Sequence, residues 1–268
     1  MNREWKRLIL AACLLALMTA AGALLPDVQT EVTDPPIVND PITKPVEDPN
    51  TKPNPKPIED PPITTPKPDP EPEPEETPWY LLLVNRQNPI SLDFEPEELA
   101  SVDGYYEMDS RVVPHMQAMI AAAESDGIRL RLVSGYRDAN LQQYLYQQEI
   151  QSYVAMGYSQ AAATEEAGKW VAIPGTSEHQ TGLAADIVSA EWLAAGQGLT
   201  ESFAEDVAAV WLKNHCMNYG FVLRYPKDKT EMTGIGFEPW HYRYVGKEAA
   251  KAIMDQGLCL EEYFNLTP

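Results

Sequence analysis

The ten residues Ser177–Asp186 read SEHQTGLAAD, and they place one of the four histidines of the chain seven residues ahead of an aspartate. Small residues lie between the two, and the stretch continues as LAADIV, an apolar run typical of a buried strand. One interpretation is a turn that leads into a strand and carries a solvent-exposed histidine. The other is half of a metal site. Motifs elsewhere in the chain decide between the two.

Two further motifs share this polar character. SGYRD, at 134–138, follows the alternating segment IRLRLV, and EPWHYRYVG, at 238–246, supplies a second histidine. Together with the first stretch they offer His179, Asp186 and His241 as ligands. Two imidazoles and one carboxylate leave one position of a tetrahedral zinc ion open, which is typical of a catalytic site. The three motifs therefore predict a catalytic zinc centre.

Glu238 lies three residues before His241 and is the candidate general base of such a centre. The sequence contains no HExxH motif. A single ExxH or a single loop histidine carries little information, so the prediction depends on the joint occurrence of the three motifs. The other two histidines of the globular part, His115 and His215, lie on predicted helices and are expected to pack or to face solvent.

The pattern SxHxxGxAxD followed by ExWH, with SGYR upstream, resembles the VanY-type D-alanyl-D-alanine carboxypeptidases. These are zinc peptidases of the group that also includes lysostaphin-like enzymes and the zinc domain of hedgehog proteins. The similarity extends from Trp79 to about Gly257 and includes the blocks LLLVNRQNPI and YGFVLRYPKDK. It implies the fold of this hedgehog/DD-peptidase-like group, a small antiparallel sheet with flanking helices.

The resemblance also implies a role for each matching residue. The zinc ligands are expected to be His179, Asp186 and His241. Glu238 is expected to deprotonate the attacking water and then to protonate the leaving amine. Arg137 is expected to polarise the scissile carbonyl or to hold the oxyanion, and a salt bridge at the strand end is the alternative for it.

Three further residues match positions of the family that contact the substrate. Ser177 and Gln142 are expected to hold its terminal carboxylate, and Tyr136 is expected to line the pocket. For Gln142 the alternative is an exposed position on a helix. No ligand and no base of the motif is missing, so the resemblance implies an active enzyme.

Helix and strand patterns are mixed along residues 79–268 without regular βαβ alternation, so the sequence predicts an α+β fold. Predicted strands are WYLLLV (79–84), IRLRLV (128–133), LAADIV (183–188), FVLRY (221–225) and FEPWHYRYV (237–245). Predicted helices are Arg111–Ser125, a segment from Asp138 to about Met156, Ala204–Tyr219, and Lys247–Gln256 as the last helix. Asp138 is the candidate N-cap of the second helix.

The chain before this domain has two other compositions. Residues 1–25 combine a basic flank with an apolar run, which predicts a signal peptide or an N-terminal membrane anchor. Residues 26–78 are rich in proline and acidic residues, which predicts a disordered, extended linker. The zinc carboxypeptidase domain, at 79–268, is therefore expected outside the cytoplasm, at the extracytoplasmic face of the membrane or in the cell wall.

The charge balance excludes a nucleic-acid partner. The chain has 20 Lys and Arg against 40 Asp and Glu, a formal net charge of −20, whereas phosphate binding needs clustered basic residues. With only three cysteines the chain is not a disulfide scaffold, and Cys216 and Cys259 are expected to be free thiols. Membrane contact is expected only through an uncleaved N-terminal segment, and the sequence leaves the oligomeric state open.

The predicted partners are peptidoglycan stem peptides, and the predicted reaction is removal of their C-terminal D-Ala by a zinc-dependent D,D-carboxypeptidase. One alternative is an L,D-carboxypeptidase that trims tetrapeptide stems, since the same motifs occur in that branch. The other is a catalytically inactive, zinc-containing wall-binding module. Glu238 and Arg137 argue against this last alternative, because a binding module needs neither.

Overall fold

The computed structural model of the protein describes residues 77–266. The predicted signal peptide or anchor and the linker up to residue 76 lie outside the described residues. None of the helices within residues 77–266 is long and apolar enough to cross a membrane.

Short strands and helices alternate irregularly along the described chain. The strands are β1 (Leu99–Ser101), β2 (Glu107–Asp109), β3 (Leu130–Ser134), β4 (Ala184–Ser189), β5 (Phe221–Leu223) and β6 (His241–Tyr244). The helices are α1 (Val113–Ser125), α2 (Ala139–Ala155), α3 (Gln160–Ala167), α4 (Ala190–Ala194), α5 (Val207–His215), α6 (Thr230–Thr233), α7 (Lys247–Gln256) and α8 (Leu260–Leu266). Single 3₁₀ turns span Glu178–Thr181, Glu201–Glu205 and Cys216–Tyr219.

The central sheet has four strands in the order β3-β4-β6-β5, and every neighbouring pair is antiparallel. β1 and β2 form a separate two-stranded ribbon. The register places Asp186 opposite Ser134 on one side and opposite His241 on the other. The predicted α+β fold with a small antiparallel sheet is therefore confirmed, and the sheet brings residues of all three motifs side by side.

One face of the sheet packs on the hydrophobic core. Ala185 and Ile187 of β4 lie in this core, while Asp186 between them faces a cavity, as the alternation of side chains along a strand requires. Met116 and Met119 of α1 are fully buried in the same cluster. Burying each such side chain contributes about 1.5–3 kcal/mol, so this packing holds α1 against the sheet, where it contacts β3.

The second helix begins as predicted. Asp138 has extended backbone angles, and its carboxylate accepts a hydrogen bond of 2.7 Å from the backbone N–H of Leu141. A side-chain acceptor at this position satisfies one of the free N–H groups of the first turn. The predicted N-cap is confirmed, and it fixes where α2 begins, directly after the SGYR motif.

The predicted strand at 79–84 is wrong. Residues 79–80 form a turn, and residues 81–84 have no strand partner within the described chain. The carbonyl oxygens of Tyr80 and Leu82 accept hydrogen bonds of 3.0 and 2.7 Å from Nη2 of Arg243. A buried guanidinium thus satisfies backbone groups that a neighbouring strand would otherwise satisfy.

Two helix predictions need smaller corrections. The helix predicted at 204–219 begins only at Val207, because Asp206 caps it by accepting a 2.8 Å hydrogen bond from the N–H of Ala208. Its last predicted turn, Cys216–Tyr219, is a 3₁₀ turn. The bounds of Lys247–Gln256 are confirmed, but this is not the last helix, because α8 follows it.

Gly182 is required by the turn that joins the 3₁₀ segment to β4. Its φ of +68° lies in the left-handed region, and a Cβ built on it would lie 2.7 Å from the backbone nitrogen of Asp109. A side chain there would be strained and would also clash with backbone. The glycine of SEHQTG therefore allows the tight turn between the histidine and the aspartate of the motif.

Candidate active site

The three predicted ligands converge. His179 lies in the 3₁₀ turn before β4, Asp186 lies within β4, and His241 is the first residue of β6. Each offers a ligand atom within 4.8 Å of the others, and all three side chains are buried. The strand register accounts for the pair Asp186 and His241, and the turn at Gly182 folds His179 back onto them.

The orientation of His179 suits a metal. Its Nδ1 lies 2.7 Å from the carbonyl oxygen of Gly135. Because a carbonyl only accepts, Nδ1 carries the hydrogen and Nε2 keeps its lone pair. Within residues 77–266 this buried Nε2 has no hydrogen-bond partner. A buried imidazole nitrogen that keeps its lone pair and has no protein partner is available to bind a metal ion together with the neighbouring carboxylate.

The separations fit zinc. Nε2 of His179 lies 3.4 Å from Oδ2 of Asp186, and Nδ1 of His241 lies 3.0 Å from Oδ1. Ligand atoms bonded at about 2.0–2.1 Å to one tetrahedral zinc ion lie about 3.3 Å apart. Two nitrogens and one carboxylate at these separations therefore form a ligand set of suitable type and size.

The charges of the ligands are set by their neighbours. Burial lowers the pKa of His179 to about 4, and nearby Arg137 acts in the same direction, so this ring is neutral at pH 7. Burial opposes ionisation of Asp186, but His179 and His241 hold its pKa well below the usual range. Burial also opposes protonation of His241, yet the carboxylate of Asp186 contributes to raising its pKa to about 9. Metal binding at His241 therefore displaces a proton.

Glu238 lies beside the ligands. Its Oε2 is 3.7 Å from Nδ1 of His241, and the residue is only 6% exposed. Burial raises the pKa of Glu238 to about 8, and the charge of Asp186 adds to the rise. A buried carboxyl with a raised pKa beside a metal site is suited to accept and return a proton.

Arg137 and Glu238 line the same cavity as the three ligands, a space of about 470 Å³. The backbone N–H of Arg137 donates to the carbonyl of His179 at 3.2 Å, which ties the SGYR motif to the metal motif. Its buried Nε has no hydrogen-bond partner in the described part of the chain. A partly buried guanidinium with a free donor can stabilise negative charge that develops on a substrate in the cavity.

Two of the three predicted substrate-binding residues line this cavity, Ser177 and Gln142. The Nε2 of Gln142 donates to the carbonyl of Ala172 at 2.7 Å, and its buried Oε1 has no partner among residues 77–266. The free Oε1 can accept a hydrogen bond from a substrate N–H, and the amide nitrogen keeps a second N–H that can donate to a carboxylate. The predicted contact of Gln142 with the terminal carboxylate stays a prediction.

Tyr136 lies elsewhere. It is not among the described residues that line the cavity, and its backbone N–H donates to the carbonyl of Glu107 at 2.7 Å. Burial raises the pKa of its hydroxyl, with Glu95 and Asp138 as the neighbouring charges. The residue therefore supports the position of the SGYR segment against β2, and the predicted pocket contact is not seen.

A sequence model of the family described as VanY: D-alanyl-D-alanine carboxypeptidase matches residues 106–247, which include all three motifs. The chain belongs to the VanY family. The matched segment extends from the β1–β2 ribbon to the start of α7. The family predicted from the motifs is confirmed.

Relatives in the VanY family are similar to this chain in sequence and in structure. A D-alanyl-D-alanine carboxypeptidase of Enterococcus faecalis is 46% identical over 190 residues, which cover 71% of this chain and 67% of the relative. The crystal structure of a vancomycin-resistance D,D-pentapeptidase VanY variant with Zn(II) is 45% identical, with a TM-score of 0.63, covering 70% of this chain and 99% of that one. The LdcB LD-carboxypeptidase is 36% identical, with a TM-score of 0.61 and coverage of 71% and 88%.

The structure adds residues that the motif analysis did not single out. The ring of Tyr225 lies 4.8 Å from the ring of His241, and both line the cavity. The hydroxyl of Ser134 is buried in the cavity wall without a hydrogen-bond partner in the described chain. Glu178 is fully buried next to His179. Its position directly before the predicted ligand His179 was the available signal for it.

Proposed function

We propose that this chain is a zinc-dependent D-alanyl-D-alanine carboxypeptidase that removes the C-terminal D-Ala from peptidoglycan stem peptides. The observation that carries the proposal is that the open ligand set, Glu238 and Arg137 share one cavity wall. The Enterococcus faecalis relative is named for this activity, and the related VanY crystal structure contains Zn(II). His179, Asp186 and His241 would hold the ion.

Each side chain of the site has a different role in the proposed reaction. Zinc bound by these three ligands supplies a water of pKa about 7 and polarises a carbonyl oxygen. Glu238 would take the proton of the attacking water and return it to the leaving amine, and its position 3.7 Å from His241 supports this role. Arg137 would donate to the oxyanion of the tetrahedral intermediate, which is supported by its place among the cavity-lining residues and by its unpartnered Nε.

Cleavage at a chain end requires recognition of the free carboxylate. Ser177 offers a hydroxyl in the cavity wall, and Gln142 offers an acceptor for a substrate N–H. Arg137 is the cation that the cavity offers closest to the metal motifs, so a role at the substrate carboxylate remains the alternative to its role at the oxyanion. The two roles give different kinetics.

An L,D-carboxypeptidase is the second candidate, favoured by the similarity to the LdcB LD-carboxypeptidase. The identity is higher with the D,D-pentapeptidase, 45% against 36%, and this favours the D,D activity. The inactive wall-binding module is disfavoured by Glu238 and Arg137, because a module that only binds needs neither a buried carboxyl with a raised pKa nor an unpartnered guanidinium nitrogen beside the ligands.

Stem peptides of two lengths separate the candidates. The purified protein, supplied with zinc, is incubated with a pentapeptide ending in D-Ala-D-Ala and with the corresponding tetrapeptide, and released alanine is detected by mass spectrometry. Fast loss of D-Ala from the pentapeptide alone supports the proposal. Preference for the tetrapeptide indicates the L,D activity. Release from neither peptide by the zinc-loaded protein contradicts both and favours a binding module.

We further propose that the domain acts outside the cytoplasm and that residues 26–78 hold it at a distance from the membrane. The support is the basic and apolar composition of residues 1–25 and the proline density of the segment that follows. Deleting residues 26–78 is expected to leave the rate on soluble peptides unchanged and to reduce hydrolysis of intact wall in cells. A fall in the rate on soluble peptides would contradict a simple spacer.

A further inference from the structure

The two ring nitrogens of His241 face different carboxylates. Nδ1 lies 3.0 Å from Asp186 on the metal side of the ring. Nε2 lies on the other side, 3.7 Å from Oε2 of Glu178. An imidazole that binds a metal through Nδ1 carries its hydrogen on Nε2. The ring therefore directs an N–H group at Glu178 when it acts as a ligand.

Glu178 is held beneath the site and does not enter it. It is 1% exposed and is not among the described residues that line the cavity. Its Oε1 accepts hydrogen bonds of 2.7 Å from Nε of Arg224 and from Nη1 of Arg243. These two ion pairs with buried guanidinium groups orient the carboxylate.

Its second oxygen is not used by these arginines. Oε2 of Glu178 and Nε2 of His241 are both buried, and neither has a hydrogen-bond partner among residues 77–266. Buried polar atoms nearly always find a partner. The separation of 3.7 Å exceeds a charge-assisted N–H···O bond by about 0.9 Å, which a small rotation of either side chain removes. The two atoms are thus each other's available partner.

We propose that Glu178 is a positioning residue, which accepts a hydrogen bond from Nε2 of His241 and thereby directs the Nδ1 lone pair at the metal. The inference rests on the zinc site of the proposed function and extends it to a side chain that touches neither the metal nor the substrate. Arg224 and Arg243 fix the carboxylate from behind, so the chain of contacts runs from the buried arginines through Glu178 to the ligand. Such an outer partner fixes the tautomer and the orientation of a ligand and raises its basicity.

Glu261 provides a matched control. Its carboxylate accepts hydrogen bonds of 2.8 and 2.7 Å from Nη1 and Nη2 of the same Arg224, and it is 8% exposed. It also accepts a 3.0 Å bond from Nδ2 of Asn85. Losing this carboxylate weakens the buried charge network as losing Glu178 does, but it removes no partner of His241.

The test compares Glu178→Gln with Glu261→Gln in the full chain. Zinc affinity is measured by competition with a chromophoric chelator, and unfolding of the metal-free proteins is followed by circular dichroism. Removing the outer partner of a ligand typically weakens metal binding about 10–100-fold, so this loss is expected for Glu178→Gln. Zinc affinity of Glu261→Gln is expected to stay within about threefold of wild type, whatever its stability. Long-range proton–nitrogen correlations of the zinc-loaded wild type should show His241 protonated at Nε2.

The outcomes separate the inference from the function on which it rests. Equal zinc affinity of Glu178→Gln and wild type, or an equal loss in Glu261→Gln, would overturn the positioning role and leave the zinc site standing. If Glu178→Gln does not fold, Glu178→Asp decides, because it keeps the negative charge for the arginines but withdraws it from His241. Its zinc affinity should then fall at least threefold, and an unchanged affinity would overturn the inference. A wild-type protein that binds no zinc refutes the proposed function and the inference with it.

Discussion

Replacing Glu238 by glutamine should lower the catalytic rate and raise the stability of the metal-free protein. The carboxyl is 6% exposed, lies 3.7 Å from His241, and has a pKa of about 8 because burial disfavours its charge. Glutamine has nearly the same size but no charge and no proton to exchange. The variant should therefore keep its ligands and its packing, lose the base, and no longer carry a carboxyl group whose ionisation is suppressed by burial.

The gain in stability follows from the pKa. The carboxyl has a pKa of about 4.5 when unfolded and about 8 when folded, so between these values the folded state binds more protons. Stability then falls as the pH rises, by about 1.4 kcal/mol per unit. At pH 7 this amounts to about 3 kcal/mol, which glutamine recovers. For a domain of this size the Tm of the metal-free variant should rise by roughly 6–12 °C.

The loss in activity has a different origin. A positioned general acid or base contributes about 10²- to 10⁴-fold to the rate, and Glu238 performs both proton transfers in the proposed reaction. The zinc-loaded variant should lose at least this factor in kcat while it keeps one zinc per domain. A bound dication opposes the rise in the pKa of Glu238, so the stability gain should be smaller in the zinc-loaded pair.

The assay is thermal unfolding of the metal-free wild type and Glu238→Gln at pH 7 and at pH 4, together with zinc content and peptide hydrolysis. At pH 4 the carboxyl is mostly protonated in both states of the wild type, so the difference in Tm should nearly vanish. Equal Tm values at pH 7, or a lead that persists at pH 4, would refute the burial argument. A drop in kcat of only about tenfold would mean that another residue transfers the proton.

Three further predictions test the site. His179→Ala should lose both zinc and activity, whereas His115→Ala, whose ring packs 4.9 Å from that of Tyr244, should keep both in metal analysis and peptide assays. Arg137→Ala should lower kcat by about 10²- to 10³-fold with little change in KM, and the reverse pattern would assign Arg137 to the substrate carboxylate. Amidating the C-terminus of the pentapeptide should severely slow its hydrolysis by the wild type, and equal rates on both peptides would indicate an endopeptidase.

The sequence predicted best where a local pattern sets the structure. The N-cap at Asp138 and the bounds of Lys247–Gln256 follow from residues within a few positions of each other. The segment 79–84 was predicted wrongly because its apolar composition suits a strand, while its backbone partner is the guanidinium of Arg243, more than 150 residues away in sequence. No local pattern contains that contact.

The site residues also show what a local sequence pattern cannot predict. Trp240, which lies between Glu238 and His241 in sequence, is 6% exposed, belongs to the hydrophobic core and also lines the cavity. Tyr136 is adjacent to Arg137 in sequence but does not share the cavity wall within the described chain. Adjacent residues point in different directions, so membership of a motif does not by itself place a side chain in the site.

By itself the sequence determined which chemistry the protein can perform. Two histidines, an aspartate and a glutamate in two motifs specify a zinc ligand set and a base, because side-chain type alone decides which atoms can bind the ion or carry a proton. Only the tertiary structure decided which atoms face each other. The register of β4 against β6 sets Asp186 beside His241, and the packing beneath them turns Nε2 of that ring toward Glu178. These pairs lie more than 50 residues apart in sequence, and their geometry depends on how the whole sheet packs on its core.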